Sequence, residues 1–135
     1  MEGIASDGKV IGSDWYGPGY EWTPWVWNAP YTALGSSPGL LRTHPYASFE
    51  GISPNTNVTV GTARFHPDSP TLPDQALFWK GSGDVLALPR VAAGKETSAV
   101  TASDDDRAGG SGVNAKGVRK AVVWICASKQ AYLPK

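Results

Sequence analysis

The sequence predicts a mainly β fold, a small β-sandwich or barrel-like domain of short strands and long loops behind an extended N-terminal arm rich in Pro, Gly and Trp. Three observations support this prediction. Short segments rich in Val, Thr and aromatic residues recur between turn residues. The 135 residues include 16 Gly and 11 Pro, which disfavour helices. No segment combines helix-capping residues with a 3.6-residue apolar period.

The N-terminal part of the chain reads as extended rather than folded on itself. Residues 1–14 are small and polar, with a short edge strand expected at 9–11. Residues 15–31 hold half of the aromatic residues, interrupted by Pro18, Pro24 and Pro30. This proline spacing excludes a continuous helix and a central strand, so we expect a partly polyproline-like ribbon with a short strand at 25–28. Residues 32–54 are expected to be irregular, and we predict that 1–54 form an arm and loop region.

The remaining residues, 55–135, are predicted to form the small β domain. Alternating or apolar segments predict strands at 56–66, 76–80, 85–88, 96–102 and 118–127. A tight hairpin loop is expected at 81–84, a polar Gly-rich loop at 103–117, and a single helical turn within 127–133. The largest apolar side chains of these strands are the predicted core: Phe65, Phe78, Trp79, Val85, Leu86, Val122, Trp124 and Ile125.

The charge of the chain is balanced overall but divided between its halves. Lys and Arg number 12, as do Asp and Glu, so the basic excess of a generic nucleic-acid binder is missing. Residues 1–68 carry three basic and six acidic side chains, whereas residues 69–135 carry nine and six. The two halves could complement each other within one chain or between neighbouring chains, or they could simply be solvated surface.

Targeting features and cysteine usage indicate a protein made in the cytoplasm. The N-terminus lacks the basic and apolar regions of a secretory signal, and no apolar run approaches the ~20 residues of a membrane helix. A single cysteine excludes a disulfide framework. That residue, Cys126, lies in an apolar run, so we expect a buried and inert thiol.

Neither histidine indicates catalysis or metal binding. His44 and His66 each precede a proline and read as turn residues. If the chain were an enzyme, His66 with Asp68 would be its one candidate pair, for a hydrolase. No metal-ligand spacing is present, so we expect no metal, no cofactor and no catalytic residue.

The acidic residues likewise form no sequence motif that indicates a metal site or a catalytic site. Asp104, Asp105 and Asp106 are consecutive, unlike the alternating ligands of a calcium loop, and are expected at a solvated loop tip. Asp14, Glu21 and Glu50 have the chemistry of a glycosidase carboxylate pair. Nothing in the sequence brings any two of these three together.

The aromatic segment 15–31 is the strongest functional signal. Its rings are interpreted as anchors at a protein–protein interface, as platforms that stack on sugars, or as the core of the domain itself. Prolines favour the interface, because a ribbon with fixed backbone angles loses less entropy on docking. The predicted partner-binding residues are Trp15, Tyr20, Trp22, Trp25, Trp27 and Tyr31.

The low charge, the Pro/Gly-rich arm and segments such as LFWKGSGDVLALPRVAAGKETSAVTAS and GVRKAVVWICAS are similar in style to small bacteriophage virion proteins of the head-decoration or cement type. The resemblance covers most of the chain and includes no signature motif. It implies a non-enzymatic protein that binds capsid or other virion subunits, forms a homo-oligomer, and has neither nucleic-acid nor membrane partners. It also implies synthesis in the host cytoplasm before incorporation into the virion. The alternatives are a carbohydrate-binding or receptor-binding β module and a phage tail or adaptor component.

Overall fold

The computed structural model describes residues 2–16, 21–32, 34–64 and 72–134. Within them the chain forms ten strands and one short helix, which confirms the mainly β prediction. The elements are β1 (Gly3–Ile4), β2 (Val10–Tyr16), β3 (Glu21–Trp27), β4 (Tyr46–Ile52), β5 (Thr59–Arg64), β6 (Gln75–Trp79), β7 (Leu86–Ala87), β8 (Thr97–Ser103), β9 (Arg107–Val113), β10 (Arg119–Ile125) and α1 (Ala127–Gln130).

The strands form three antiparallel sheets that are stacked as layers. The first sheet has the order β1-β2-β3, the central sheet β4-β5-β6-β7 and the third β8-β9-β10. Strand β4 contacts β2 and β3 of the first sheet, and β4, β5 and β6 all contact β8 of the third. Every residue of β6 and all of β5 except Arg64 are buried, because both faces of the central sheet are covered. Continuous burial of this kind explains why these two strands lack a clean apolar–polar alternation.

One apolar core lies between the first and central sheets. Ile11 and Val26 of the first sheet pack with Phe49, Leu77 and Trp79 of the central sheet. Each fully buried side chain of this size contributes about 1.5–3 kcal/mol relative to exposure. The first sheet is therefore held to the rest of the chain mainly by hydrophobic contact.

A second core lies on the opposite face of the central sheet. Val60 and Phe78 pack there with small residues of the third sheet, Ala99 and Ala108, and with Trp124 of β10. The indole Nε1 of Trp124 donates a hydrogen bond to the carbonyl of Pro89 at 3.0 Å, which satisfies its polar atom. Alanines let the two sheets approach closely, and the single large indole fills the remaining space.

Two β-bulges interrupt the ladders, and a glycine faces each of them. The β4–β5 register shifts between Phe49 and Gly51, opposite Gly61. The β8–β9 register shifts between Ala99 and Thr101, opposite Gly110. A Cβ atom on Gly61 or Gly110 would overlap a backbone carbonyl of the bulged strand. Glycine is required at both positions because the extra residue of a bulge pushes its backbone towards the partner strand.

Several strand predictions agree with the structure, with shifted ends. The predicted strands at 56–66, 76–80, 85–88, 96–102 and 118–127 correspond to β5, β6, β7, β8 and β10. The one-turn helix expected within 127–133 is α1. The first sheet is longer than expected, because β2 and β3 pair over seven residues each, including Pro24.

Two predictions of irregular chain are wrong. Residues 32–54 were expected to lack regular structure, but β4 lies within them and pairs with β5 across the boundary at residue 54. Residues 103–117 were expected to be a Gly-rich loop, but β9 lies within them, between β8 and β10. Glycine has a low strand propensity, but close neighbours on both sides favour it here. The division of the chain into 1–54 and 55–135 stays a prediction.

Of the eight predicted core residues, four are buried in the described part of the chain, and the predictions of a buried Ile125 and a buried Cys126 are wrong. Phe78, Trp79, Val85 and Trp124 are buried, whereas Leu86 and Val122 are half-buried. Ile125 is 59% exposed, because it alternates with the inward-facing Trp124 on β10. Cys126 is also exposed rather than buried, since the chain leaves the sheet at this residue with a positive φ of 55°. Phe65 lies outside the described residues.

Candidate partner-binding surfaces

Strand β3 places two of the predicted anchors side by side on the outer face of the first sheet. Trp25 and Trp27 lie two residues apart, so their side chains share a face, and their ring centroids are 6.4 Å apart. Both are half-buried. Gly35 lies against them so closely that a Cβ atom there would overlap the Trp25 ring, and Ser36 forms a bridge to Val26. The chain therefore covers these two indoles partly with its own backbone.

Tyr31 is 49% exposed, and its hydroxyl donates a hydrogen bond to the carbonyl of Gly8 in the β1–β2 turn. This contact fixes the segment after β3 against the first hairpin. The backbone of Trp15 pairs with that of Trp22, but the side chain of Trp15 is not among those described. Tyr20 lies outside the described residues. The predicted partner-binding role of all six aromatic residues stays a prediction.

Trp22 lies apart from the other two indoles, on the inner face of the first sheet. It shares that face with Val26 by strand alternation, but beyond the end of the core, and it is 45% exposed. There it lines an open cleft of about 390 Å³ between the first sheet and β4. Ser13 contributes a hydroxyl from β2, and Glu50 and Arg64 contribute charged groups from the central sheet. Phe49 and Ala47 complete the apolar part of the lining.

Glu50 is the half-buried carboxylate of this cleft. The hydroxyl of Thr62 donates a hydrogen bond to its Oε2 at 2.9 Å, and Nη2 of Arg64 lies 3.6 Å from its Oε1. Burial raises the pKa of Glu50, although the Thr62 hydrogen bond and the Arg64 charge act in the opposite direction. The β4–β5 register brings these three residues together, because Tyr46 pairs with Arg64 and Ser48 with Thr62.

A second cavity of about 220 Å³ adjoins the first, and Glu50 and Arg64 line both. It extends between the central and third sheets, where Asp74, Glu96 and Arg119 add further charges. Arg119 forms an ion pair with Glu96. Of the two carboxylates considered in sequence whose side chains are described, Glu50 lines the cleft, whereas Asp14 follows Ser13 and alternates to the other face of β2. The side chain of Glu21 is not described.

An apolar patch lies on the outer face of the third sheet, which also carries Arg107, Ser111 and Arg119. Val123 is 63% exposed and Ile125 is 59% exposed, and both point away from the core because Trp124 points into it. Val123 pairs with Gly109, which pairs in turn with Thr101, and these residues border a shallow groove of about 180 Å³. In the described part of the chain β10 is an edge strand of this sheet. Sequence analysis missed this surface, since the apolar run 121–127 reads as a buried strand.

The three consecutive aspartates lie in a largely exposed turn between β8 and β9, as expected, and their carboxylates also accept structural hydrogen bonds. Asp104 accepts hydrogen bonds from the backbone N–H groups of Asn55 and Thr56 and from the Asn55 side chain. Asp106 accepts bonds from the backbone and hydroxyl of Ser128, and Asp105 pairs with Arg107 at 3.3 Å. The β8–β9 turn is thereby tied to the loop before β5 and to α1. No cluster of three or more potential metal-ligating side chains occurs among the described residues.

His44 is a buried structural residue. Its ring lies within hydrogen-bonding distance of the Thr43 hydroxyl, at 2.8 Å, and of the Pro73 carbonyl, at 3.0 Å. Burial is the main cause that lowers its pKa. These contacts connect the loop before β4 to the segment before β6. His66 and Asp68, the candidate pair for a hydrolase, lie outside the described residues.

No protein-family model, curated protein or solved structure matches this chain significantly. Among the described residues, no helix has the length and apolar character needed to cross a membrane. Functional inference therefore depends on the apolar outer face of the third sheet and on the cleft beside Trp22.

Proposed function

We propose that this chain is a non-enzymatic structural protein of a virus particle, of the decoration or cement type, which binds capsid subunits and stabilises the assembled shell. The observation that carries the proposal is the exposed apolar face of the third sheet, centred on Val123 and Ile125. The proposal includes a homo-oligomeric state, synthesis in the host cytoplasm and a final location in the virion.

The apolar residues Val123 and Ile125 lie on β10, an edge strand of the third sheet. An exposed apolar edge strand is prone to pairing with other chains, so proteins normally shorten, charge or cover it. Here β10 is seven residues long, and Val123 and Ile125 lie uncovered on its outer face. Burying them against a partner stabilises the complex by about 1–2 kcal/mol each, scaled from their exposed fractions. Such modest contacts become strong when many copies bind one shell.

Charge around this face suggests the character of the partner. Lys116, Arg119 and Lys120 are exposed at the β9–β10 turn, at the other end of β10 from Ile125, and Arg119 is paired with Glu96. A partner surface with an apolar centre and acidic rim would complement them. A protein that binds only the assembled shell shifts the assembly equilibrium towards it, which is how a decoration protein stabilises a capsid.

The test uses the virus that encodes the chain. We expect the protein to co-purify with its particles in a fixed ratio to the major capsid protein, as measured by quantitative mass spectrometry. Recombinant protein should also bind shells that lack it. A doubly substituted variant, Val123→Ser with Ile125→Ser, should lose this binding, whereas Leu34→Ser, at a fully exposed loop position, should retain it.

Two results would contradict the proposal. One is the absence of the protein from purified particles when it is abundant in infected cells. The other is shell binding that both serine substitutions leave unchanged. Size-exclusion chromatography with light scattering reports the oligomeric state separately, and a stable monomer would remove the homo-oligomer from the proposal.

A further inference from the structure

We propose that the cleft beside Trp22 is a carbohydrate site that binds a short neutral oligosaccharide. The site lies between the first sheet and β4, away from the apolar face of the third sheet, and does not depend on the virion role. It combines an exposed indole, a half-buried carboxylate and a guanidinium around one cavity.

The first argument is the apolar platform. A pyranose ring has one face of C–H groups, which packs favourably on an aromatic ring, while its hydroxyl groups stay at the edge. Trp22 lines the cleft and is 45% exposed, so its indole offers apolar surface to a ligand. Trp25 and Trp27 differ, because the segment around Gly35 lies against them. Phe49 and Ala47 lie beneath the cleft but are fully buried in the core, so Trp22 is the apolar surface that a ligand would meet.

The second argument is the pairing of acceptors and donors. The Glu50 carboxylate is held by Thr62 and lies 3.6 Å from Arg64, a distance longer than a hydrogen bond. A carboxylate accepts several hydrogen bonds, and a guanidinium carries five N–H donors. Two adjacent sugar hydroxyls can therefore donate to Glu50 and accept from Arg64 at the same time. The Ser13 hydroxyl adds a group that both donates and accepts.

The third argument is charge, which selects a neutral ligand. Glu2 and Glu50 line the cleft together with a single cation, Arg64. The adjoining cavity adds the acids Asp74 and Glu96 and the cation Arg119, which is paired with Glu96. Carboxylates outnumber guanidinium groups in both cavities, so sulfated or carboxylated sugars are disfavoured. A neutral sugar can form the hydrogen bonds to Glu50 and Arg64 without electrostatic repulsion from the carboxylates.

The fourth argument is size. The cleft has a volume of about 390 Å³ and adjoins a cavity of about 220 Å³. Small-molecule sites usually measure roughly 300–1,000 Å³. The main cleft is therefore large enough for a mono- or disaccharide, and a longer neutral chain would continue past Glu50 into the second cavity.

The experiment measures sugar binding directly. Maltotriose, cellotriose, chitotriose and lactose are titrated into the purified protein, with calorimetry and tryptophan fluorescence as readouts. We expect at least one to bind at millimolar concentration or below. Trp22→Ala and Arg64→Met should each weaken that binding by about tenfold or more, which corresponds to about 1.4 kcal/mol.

Matched variants control for general effects. Tyr132→Ala removes an exposed aromatic residue of the C-terminal segment, and Arg107→Met removes an exposed arginine of the third sheet. Both should bind the sugar as the unaltered protein does. Thermal unfolding of all four variants shows whether a loss of binding reflects a loss of fold, and Trp22→Phe should restore part of the affinity.

Three outcomes would overturn the proposal: no binding to any of the four sugars at millimolar concentration, binding that is unchanged in both cleft variants, and tighter binding of a sulfated heparin disaccharide than of any neutral sugar. Pentalysine serves as a further probe, since an acidic cleft with an exposed indole also suits a basic peptide. Pentalysine binding that is lost in Trp22→Ala, without sugar binding, would assign the cleft to a basic protein segment instead. Shell binding through Val123 and Ile125 is measured separately, so either proposal can fail alone.

Discussion

The ring of Phe49 on β4 stacks on the ring of Trp79 on β6, with centroids 5.8 Å apart and planes 15° apart. Gly61 of β5 lies between these two strands, and a Cβ atom there would overlap the backbone of Ser48 and Phe49. The Trp79 indole Nε1 donates to the carbonyl of Gly83 at 3.1 Å, which ties the stack to the turn after β6. This aromatic pair is the centre of the core beneath the first sheet.

The stack makes Phe49 a position of large stability effect. Phe49→Ala removes a fully buried ring, and we expect it to lower the free energy of unfolding by about 3–5 kcal/mol. Urea denaturation followed by tryptophan fluorescence measures the loss. Leu34→Ala, at a position whose side chain is 98% exposed, should change stability by less than about 0.5 kcal/mol. Similar losses for both variants would contradict this account of the core.

We expect replacement of the Glu50 carboxyl by a neutral amide to increase the stability of the protein at neutral pH. Its pKa is raised by burial, so the folded state binds the proton more tightly than the unfolded state. This contribution is fully present below the ordinary pKa of glutamate and is lost as pH rises through the raised value. Glu50→Gln, which is neutral throughout, should therefore be the more stable protein above that value, and its advantage should shrink in acid. Urea midpoints across the pH range provide the test, and a variant that is less stable at neutral pH would contradict it.

Asp104 predicts the opposite pH dependence. Hydrogen bonds from Asn55 and Thr56 lower its pKa, so its contribution is present above the ordinary pKa of aspartate. It is lost as pH falls through the lowered value. Asp104→Asn should be less stable than the unaltered protein at neutral pH, and the difference should close in acid. Asp84→Asn, in the exposed turn after β6, serves as the comparison in the same urea titrations. Equal effects of the two substitutions would show that the hydrogen bonds from Asn55 and Thr56 to Asp104 contribute nothing to stability.

Adjacent glycines on β9 provide a test of the bulge geometry. A Cβ atom on Gly110 would overlap the backbone of Ser98 and Ala99, whereas one on Gly109 would meet only the Thr101 methyl group at 3.0 Å. Backbone cannot move aside without breaking the β8–β9 ladder, but an exposed Thr side chain can rotate. We expect Gly110→Ala to cost at least about 2 kcal/mol and Gly109→Ala less than about 1 kcal/mol. Thermal unfolding distinguishes them, and a reversed order would show that the bulge lies elsewhere.

The sequence was sufficient to predict strands whose own side chains favour extended structure. Val60, Phe78 and Trp79 are β-branched or aromatic, and β5 and β6 were expected close to where they occur. Strand β9 was not predictable in this way, since RAGGSGV has the composition of a loop. Its strand forms because β8 and β10 supply hydrogen-bonding partners on both edges, and its glycines allow the close approach at the bulge.

The candidate surfaces were less predictable than the fold, for two physical reasons. Trp124 and Ile125 lie on opposite faces of β10, and the face that is buried is the one on which the central sheet packs. The sequence of β10 alone does not show which face that is. The β4–β5 register brings Glu50 and Arg64 together. This register could not be predicted when residues 32–54 were expected to be irregular. Trp22 was predicted as a binding residue because it lies in the aromatic segment. That Trp22 is separated from Trp25 and Trp27 follows from the face of the sheet that each residue occupies, which the sequence did not show.

The three sheets follow one another in the chain in the same order as they are stacked. During synthesis from the N-terminus, each layer therefore emerges from the ribosome before the next one does. The first sheet gains a surface to pack on when β4 to β6 emerge. The opposite face of the central sheet, with Val60 and Phe78, has no cover until residues 97–125 have been made. Neighbouring nascent chains on a polysome meet this open face, and we expect translation beyond β7 to be the interval in which the protein most needs chaperones.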